Sequence, residues 1–535
     1  MKKGSTRRIW IKWSVLFIGV VFIVYIIYVI LGSVIQNKIA KSLHDLSPGI
    51  QSSYSAIHVN LLASSVTVDS LQLIFIPDSA LQQHRHSIYF QQASLSGIDF
   101  LKVIFSQQLF ISNVNLEKAQ IKLDQYLLDK KDSSQQAILK NLRVPFKNIT
   151  IKNLTLSEAA VWLGADSTDQ PLLKGNISLY DQEVFASNIT SLMDSSHLGG
   201  FDCSLSDIHY SIPGRYHTIH IKKLAINSKK EILQMDSIKV IPRWGKMEFG
   251  RKLGRQADRV EGFVGKIEMT KLNVAELMHN KLIADRLILS DCDIHIFRDR
   301  KLPRKQENQP MLNDYLEKIE YDVRINLFKL KNASVYSEEL PKDGTQTGYL
   351  KINKINLSMT PVINHAGKNA TGSSDTYVEG SIMNSGTIRA HIHSPLKKNI
   401  YEVKGRIENL DLPKLNPSAE NLGKFHVESG ILNFLDFHFV ATEEKAVGEI
   451  IGEYHNLVLE KLKNENGKNK VAAVPTFFLK HLIIPKNKDK SMDVARRTGK
   501  IDYKRDPTRV VSFYFLKSLL DGIRASFDLG FLLPQ

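Results

Sequence analysis

The sequence predicts a mainly β fold, an elongated, curved antiparallel sheet that follows an N-terminal transmembrane helix and precedes a C-terminal amphipathic helix. Three features predict it: an uncharged apolar stretch at residues 13–35, alternation of apolar and polar residues over most of the chain after residue 60, and apolar residues three and four apart near the C-terminus. With 43% hydrophobic and 24% charged residues, the composition is typical of a folded chain and argues against disorder or many membrane spans.

Residues 13–35 predict a single membrane anchor. At 1.5 Å per residue, a helix of this stretch is about 34 Å long, which is enough to cross a hydrocarbon core of about 30 Å. Basic residues are concentrated on one side of it: Lys2, Lys3, Arg7, Arg8 and Lys12 precede it, and Lys38 and Lys41 follow it. By the positive-inside rule, residues 1–12 are then a cytoplasmic tail and the bulk of the chain lies across the membrane.

A cleaved signal peptide is the alternative interpretation of the same stretch. The apolar region of a signal peptide usually has about 7 to 15 residues and is followed by a small-x-small cleavage site. Here the apolar stretch is longer, and Lys38-Ile39-Ala40 places a lysine where a small residue is needed. The sequence therefore favours an uncleaved anchor.

The rest of the chain repeats one pattern of apolar residues. A unit at residues 109–123 alternates apolar and polar residues, changes phase across two polar residues, and then alternates again. Related copies lie at residues 149–163, 287–296 and 323–335. The two-residue phase break is occupied by Glu117-Lys118, Ser157-Glu158, Ser290-Asp291 and Lys331-Asn332, and a small residue follows in Ala119, Ala159, Cys292 and Ala333. Repetition of this kind predicts an extended sheet built from similar neighbours.

The phase break has two possible structural explanations. A tight hairpin would reverse the chain at the two polar residues, and a β-bulge would reset the alternation within one strand. In either case we expect antiparallel strands in a long meander. The sheet is expected over residues 36–400 as a repeating part and over residues 401–480 as a C-terminal β segment.

Apolar residues of the repeats are expected to lie on one shared face of the sheet, where they would form a continuous track able to bind lipid acyl chains. The candidate lining residues of this track are Val114, Leu116, Ile121, Leu154, Leu156, Val161, Leu287, Leu289, Ile294, Phe328, Leu330 and Val335.

The end of the chain predicts a basic loop at residues 481–505 and an amphipathic helix within residues 506–535. Asp506-Pro507 is typical of a helix start, and the apolar face is expected to contain Phe513, Leu516, Leu520, Ile523 and Phe527. The opposite face carries Lys517, Asp521, Arg524 and Asp528, which permits two i,i+4 ion pairs. We favour a helix that covers the end of the sheet over one that binds a membrane surface or a partner.

No catalytic, metal or cofactor site is predicted. His84 with His86, and His391 with His393, have the i,i+2 spacing of residues on one strand face, but two imidazoles do not complete a metal site. Cys203 and Cys292 cannot form a disulfide framework, and Cys292 stands where other copies have alanine, so packing explains it better than nucleophilic chemistry. The hydrolase, zinc-protease and P-loop motifs are absent from the sequence. We expect no enzyme activity.

The net charge of +16 is spread over the chain and does not indicate nucleic-acid binding. Nucleic-acid interfaces usually cluster basic residues with aromatic ones or use a recognisable module. A diffuse positive surface beside anionic lipid headgroups is the simpler explanation.

The anchor, the segment from Ala93-Ser-Leu95 to Ala119-Gln-Ile121, and the stretch from Gly430-Ile-Leu432 to Leu457-Val-Leu459 resemble the AsmA-like family of bacterial envelope proteins. This family is related to the repeating β-groove, bridge-like lipid-transfer proteins. The resemblance implies an elongated groove with an apolar inner face and supplies no catalytic residue.

The expectation for function follows from the anchor, the apolar track and this resemblance. We expect a single-pass protein of the bacterial inner membrane, with its bulk in the periplasm, that binds membrane lipids and aids lipid transport or envelope homeostasis, acting with or without envelope protein partners. The alternative is a non-catalytic structural or regulatory scaffold for envelope or outer-membrane protein assembly. An apolar face left uncovered by protein would favour the lipid carrier.

Overall fold

The computed structural model of the chain describes residues 4–46, 49–76, 85–100, 102, 108–123, 148–163, 171–185, 200–212, 216–365, 372–465, 468–471 and 495–526. The described part is mainly β, as the sequence predicts. The chain forms two compact units, the first made of residues 1–208 with 225–229 and the second of residues 209–224 with 230–535.

The first unit begins with one long helix, α1, which spans Gly4–His44. Nine strands follow in the described residues: β1 Ile50–Ser53, β2 Ala56–Asn60, β3 Ser65–Phe75, β4 His86–Ser96, β5 Gln108–Glu117, β6 Gln120–Leu123, β7 Asn148–Leu163, β8 Leu173–Phe185 and β9 Gly200–Ile212, whose last residues belong to the second unit. Strands β3 and β4 pair antiparallel, as do β7, β8 and β9 in succession. Strands β5 and β6 pair antiparallel with β4 on one side and parallel with β7 on the other.

The second unit contains a longer series of strands with short helices between them. Its strands are β10 His217–Asn227, β11 Ile232–Pro242, β12 Arg259–Thr270, β13 Lys281–Asp299, β14 Asp322–Leu340, β15 Gly348–Thr360, β16 Val362–Ile363, β17 Ser373–Ile382, β18 Gly386–Pro395, β19 Tyr401–Asp411, β20 Phe425–Ala441, β21 Lys445–Glu465, β22 Lys468–Val471 and β23 Ala495–Lys504. Its helices are α2 Lys246–Leu253, α3 Val274–Met278, α4 Leu312–Glu317 and α5 Val511–Ser526, with further helical turns at Leu412–Leu415, Asn416–Ser418 and Ala419–Gly423.

The expectation of a wholly antiparallel sheet is wrong, because the described strands form mixed sheets. Strands β13 and β14 pair parallel over their whole length, as β5 and β7 do in the first unit. Between β13 and β14 the chain passes through α4 and returns to the end of the sheet where β13 began. Alternation with a period of two reports which face a side chain occupies and not the direction of the neighbouring strand, so the sequence pattern is the same for both arrangements.

The phase break is a local bend within a strand and not a hairpin. Strands β7, β13 and β14 each run through it without reversing. Lys118, Glu158, Asp291 and Asn332 have left-handed backbone, with φ of 48°, 49°, 55° and 51°. In β7 the pairing with β8 shifts by one residue between Leu156 and Ala159, as a bulge requires.

The C-terminal segment differs from the prediction in two places. Residues 495–504, expected within a basic loop, form strand β23, which pairs antiparallel with β21. The C-terminal helix begins at Val511 and not directly after Pro507. The Asp506 carboxylate accepts hydrogen bonds from the backbone N–H and the hydroxyl of Thr508, which makes residues 506–509 a turn before the helix. Residues 481–494 lie outside the described part.

The predicted membrane anchor falls within α1, whose backbone is helical throughout residues 13–35. Most side chains of the first half of that stretch lie outside the described part. A search of the described residues finds no helix with the length and apolar character needed to cross a membrane.

Candidate functional site

The predicted lining residues of the second unit are brought together in three directly opposed pairs. Strands β13 and β14 place Leu287 opposite Phe328, Leu289 opposite Leu330, and Ile294 opposite Val335. Directly opposed residues share one face of a sheet, so the six side chains form a single apolar patch. All six are half-buried.

The apolar patch continues across the neighbouring strands in both directions. Register places one residue of each strand in a row that is apolar throughout: Met235, Ile267, Leu289, Leu330, Leu357, Val378 and Ala390, on β11 to β18. A second row two residues away contains Leu233, Met269, Leu287, Phe328, Met359, Thr376 and Ile392. We call these two rows the apolar track.

The phase break keeps the apolar residues on one face. Without the left-handed residue Asn332, the alternation after Leu330 would turn Val335 to the polar face. The backbone N–H released at the break is bound by a side chain of the next strand. Asn332 donates to Asn356 Oδ1 at 3.1 Å, and Glu158 in the first unit donates to Asn176 Oδ1 at 2.8 Å. Sequence reasoning missed these two asparagines, although each lies on the strand after a repeat copy.

Helix α5 covers the track at one end. In the row that contains Leu330, Ala390 is followed by Gly405 and then by Phe437, which is buried. Phe437 belongs to a buried cluster of the second unit, the α5 cluster, against which Phe515, Leu519 and Ile523 pack. The buried residues of the cluster come from β19, β20, β21 and β23, from the segment before α4 and from α5 itself: Met311, Tyr401, Val403, Leu435, Phe437, Phe439, Ala441, Ala446, Ile450, Ile501 and Tyr514.

Helix α5 packs against the last strands of the sheet, as the sequence favours, but of the described residues of the predicted apolar face only Ile523 packs against the α5 cluster. Tyr514, Ser518, Gly522 and Ser526 are the buried residues of α5, whereas Leu516 is 46% and Leu520 is 41% exposed. Small residues allow the close approach. A Cβ on Gly522 would lie 2.9 Å from Ile501 Cγ1, so the helix backbone rests directly on the sheet.

Lys517 and Asp521 of α5 have contacts other than the ion pair expected between them. Asp521 accepts a hydrogen bond from the backbone N–H of Asp502 at 3.0 Å, and the Lys517 ammonium lies 5.6 Å from the centre of the Phe513 ring. Phe527 and Asp528 lie outside the described part.

The predicted lining residues of the first unit are paired in the same way but are covered. Strands β5, β6 and β7 place Val114 opposite Leu154, Leu116 opposite Leu156, and Ile121 opposite Val161. Val114 is only 7% exposed and belongs to a buried cluster against which Leu116, Leu154 and Leu156 pack. The end of α1 contributes Ile39, Ala40 and Leu43 to the same cluster. In this unit, four of the six predicted residues are therefore core residues, and Ile121 and Val161 are half-buried outside the cluster.

The polar face of the repeats is held by side-chain hydrogen bonds between equivalent positions. Asn153 donates to Asn113 at 3.0 Å across β7 and β5, and Asn332 donates to Asp291 at 2.7 Å across β14 and β13. These bonds connect the repeat copies in register, because each joins the same position of two successive copies.

The histidine pair on β18 is held by one carboxylate. His391 Nε2 lies 2.8 Å and His393 Nδ1 2.9 Å from the same oxygen of Asp375. Hydrogen bonds from His393 and then His391 lower the pKa of the Asp375 carboxyl below its usual range. Within the described residues, no group of three or more His, Cys, Asp or Glu side chains is arranged to hold a metal ion. His84 lies outside the described part.

Both cysteines are buried free thiols. Burial raises the pKa of Cys203 to about 11 and also raises that of Cys292, so both side chains are protonated at neutral pH. Cys292 fills the small-residue position of its repeat, as the sequence pattern indicates. A protonated, buried thiol is a poor nucleophile.

The polar face of the second unit carries a cavity that sequence reasoning missed. It has a volume of about 830 Å³ and extends from β14 to β20. Two rows of polar residues line it, one on each side of the backbone of Leu330, Leu357 and Val378. One row contains Lys329, Ser358, Tyr377, His391 and Lys404, and the other contains Lys331, Asn356, Glu379, Arg389, Arg406 and Asp436.

A comparison of the chain with models of protein families and with curated proteins finds no match. The AsmA-like resemblance therefore remains a prediction from short motifs, and the geometry of the two faces carries the functional argument.

Proposed function

We propose that this chain is a membrane-anchored protein that binds lipid acyl chains on the apolar track of its second unit and assists lipid movement or lipid homeostasis in the bacterial envelope. One observation carries the proposal: the track is continuous across β11 to β18, yet the buried cluster described for this unit contains none of Leu287, Leu289, Phe328 and Leu330. From β12 to β17 the residues of both rows are half-buried, whereas Leu233 is buried and Ala390 and Ile392 pack against the α5 cluster. A continuous, half-buried apolar surface needs something to shield it from water.

Acyl chains fit this requirement better than a compact ligand. The half-buried part of the two rows crosses five neighbouring strands, β12, β13, β14, β15 and β17, with one polar interruption, Thr376. Neighbouring strands are about 4.8 Å apart, so an acyl chain lying across them contacts apolar side chains for about 19 Å. Burial of each methylene contributes about 0.8 kcal/mol, which gives on the order of 10 kcal/mol for a chain of about 14 carbons before the cost of ordering it.

The apolar track ends where the α5 cluster begins. At Gly405 the row has no side chain, and a Cβ there would lie 2.3 Å from Phe437 Cζ. Phe437 therefore occupies the space above Gly405, and beyond it Tyr514 and Phe515 fill the apolar face. An acyl chain on the track would extend up to this boundary and not past it.

The anchor completes the proposal. With residues 13–35 in the inner membrane and the N-terminus in the cytoplasm, the apolar track would lie in the periplasm, where acyl chains need shielding from water. Headgroups would stay in solvent while the chains lie on the sheet, so no headgroup pocket on the apolar face is required. Envelope proteins would act as partners in this transfer by presenting or accepting lipid.

The experiment measures lipid that co-purifies with the full chain. The protein is extracted from membranes in a mild detergent, and bound lipid is counted per protein by mass spectrometry. In the double variant Leu289→Asp with Leu330→Asp, two carboxylates replace apolar side chains at the centre of the track. We expect the lipid count per protein to fall clearly below that of the unaltered chain and to leave only the lipid that surrounds the anchor, because acyl methylenes next to a carboxylate lose their apolar surroundings.

The matched control places the same charges on the opposite face. Ile232 and Gln234 flank Leu233 on β11, so Ile232→Asp with Gln234→Asp adds two carboxylates to a strand of the track but to its polar face, outside the cavity on that face. Circular dichroism checks that both variants fold. Equal lipid content in the two folded variants would remove the carrier function and leave the scaffold as the function that the fold supports.

A further inference from the structure

The cavity on the polar face carries an unbalanced group of positive charges. Five basic side chains line it, Lys329, Lys331, Arg389, Lys404 and Arg406, against the carboxylates of Glu379 and Asp436. Three of the five already have partners. Arg406 binds both oxygens of Asp436 at 2.6 and 2.7 Å, Arg389 pairs with Glu408, and Lys404 pairs with Glu402.

The remaining two cations are adjacent on one strand. Within the described part of the chain, neither Lys329 nor Lys331 forms an ion pair. Glu268 on β12 lies within electrostatic reach of Lys331, but that carboxylate is bound by Lys266 at 2.7 Å. Lys329 and Lys331 are two residues apart on the same face of β14, so their Cα atoms are about 6.6 Å apart and both ammonium groups can reach one anion.

Beside these lysines the cavity provides a flat surface. Tyr377 is 55% exposed and stacks on His391, with ring centres 4.4 Å apart and ring planes 9° from parallel. Asp375 fixes His391 from behind through the 2.8 Å hydrogen bond. Ser358, which lies between Lys329 and Tyr377 in the row, is small and leaves room between the ammonium and the ring.

We infer that this cavity binds a phosphate-bearing ligand, with the phosphate between Lys329 and Lys331 and the organic part of the ligand against Tyr377. Lysine is a common phosphate-binding residue, and the hydrogen bonds between an ammonium and a phosphate are charge-assisted. A carboxylate ligand would be a weaker match, because a phosphate offers more oxygens to two separate ammonium groups. The site lies on the face opposite the apolar track and does not depend on the proposed acyl-chain binding.

The phosphate could belong to a free ester or to a lipid headgroup, and two probes distinguish these sources. The full chain, held in phosphatidylcholine nanodiscs, is titrated calorimetrically with glycerol 3-phosphate and with dihexanoyl phosphatidic acid. In the double variant Lys329→Gln with Lys331→Gln, we expect binding to weaken about tenfold or more, because two charge-assisted hydrogen bonds are lost. Binding of both probes indicates a free ester as the source, and binding of the lipid probe alone indicates a headgroup.

The control carries the same change of charge elsewhere in the unit. Lys222 and Lys223 are exposed on β10, outside the cavity, so Lys222→Gln with Lys223→Gln should leave both dissociation constants unchanged. Tyr377→Ala should weaken binding of the probes without removing it. The inference is overturned if neither probe binds the unaltered chain, or if the two double variants weaken binding equally. If glycerol 3-phosphate does not bind the unaltered chain, lipid binding that persists in Lys329→Gln with Lys331→Gln would place the lipid probe on the apolar track and would also overturn the inference.

Discussion

At the scale of single residues, the repeats depend on a few positions with left-handed backbone. Such a conformation costs a residue with a Cβ about 1–2 kcal/mol, and Asn and Asp tolerate it best. Asp291 and Asn332 fit that preference, whereas Lys118 and Glu158 do not. The first unit therefore keeps a strained residue at each break, and hydrogen bonds such as the one from Lys118 N–H to the Ser157 carbonyl at 2.9 Å help to hold it.

Lys118→Val should lower the free energy of unfolding by about 1 kcal/mol or more, because a β-branched side chain is poorly accommodated at positive φ. Lys122→Val is the matched change at an exposed position of regular strand four residues later, and its effect should stay within about 0.5 kcal/mol. Urea unfolding of the full chain in detergent, followed by circular dichroism, measures both. If Lys118→Val is no less stable than Lys122→Val, the left-handed conformation is not a constraint on this position.

At the scale of elements, α5 shows how close packing overrides a hydrophobic pattern. The helix presents Ser518 and Gly522 to the sheet, and Ser518 is fully buried, with its hydroxyl donating to the Tyr514 carbonyl. The sequence pattern placed the large residues Leu516 and Leu520 on the apolar face of the helix, but both are exposed in the structure. The identity of the partner surface, a tightly packed sheet with Gly499 at the contact, decides which face fits, and that surface comes from strands distant in sequence.

Adjacent leucines of α5 test this orientation. Leu519→Ala should lower the free energy of unfolding by about 2 kcal/mol, because Leu519 packs against the α5 cluster and its removal leaves a cavity. Leu520→Ala removes the same atoms from an exposed position and should cost about 0.5 kcal/mol or less. Thermal unfolding of the two variants compares them directly. A larger loss for Leu520→Ala would support the face that the sequence pattern predicts.

At the scale of the whole molecule, the sequence could predict the strand-rich fold and the grouping of apolar residues, but not the sites. Alternation placed Leu289 and Leu330 on one face, and the structure pairs them directly. Alternation could not show that β13 and β14 are parallel, that Leu116 packs against a buried cluster to which the end of α1 contributes, or that Lys329 and Tyr377 line one cavity. Each of these depends on which strands become neighbours, and the period of a single strand carries no such information.

The direction of the chain across the membrane is a property of the whole protein and can be tested as one. Alkaline phosphatase fused after Gln535 should be active in bacteria, because the enzyme folds only after export and the basic residues before residue 13 should keep the N-terminus inside. The same fusion without residues 13–35 should be inactive. Activity of a cytoplasmic reporter at the same site, in place of the phosphatase, would reverse the proposed localisation.

The parallel pairing of successive repeats has a consequence for how such a chain can change in length. Equivalent residues are 40 positions apart between β5 and β7 and 41 positions apart between β13 and β14, and register is constant along each pair. A duplication of one whole repeat copy, of 40 or 41 residues, would add a strand that runs in the same direction and presents the same residues to each face of the sheet. The gene could therefore gain a strand in one step, with every apolar side chain still on the correct face.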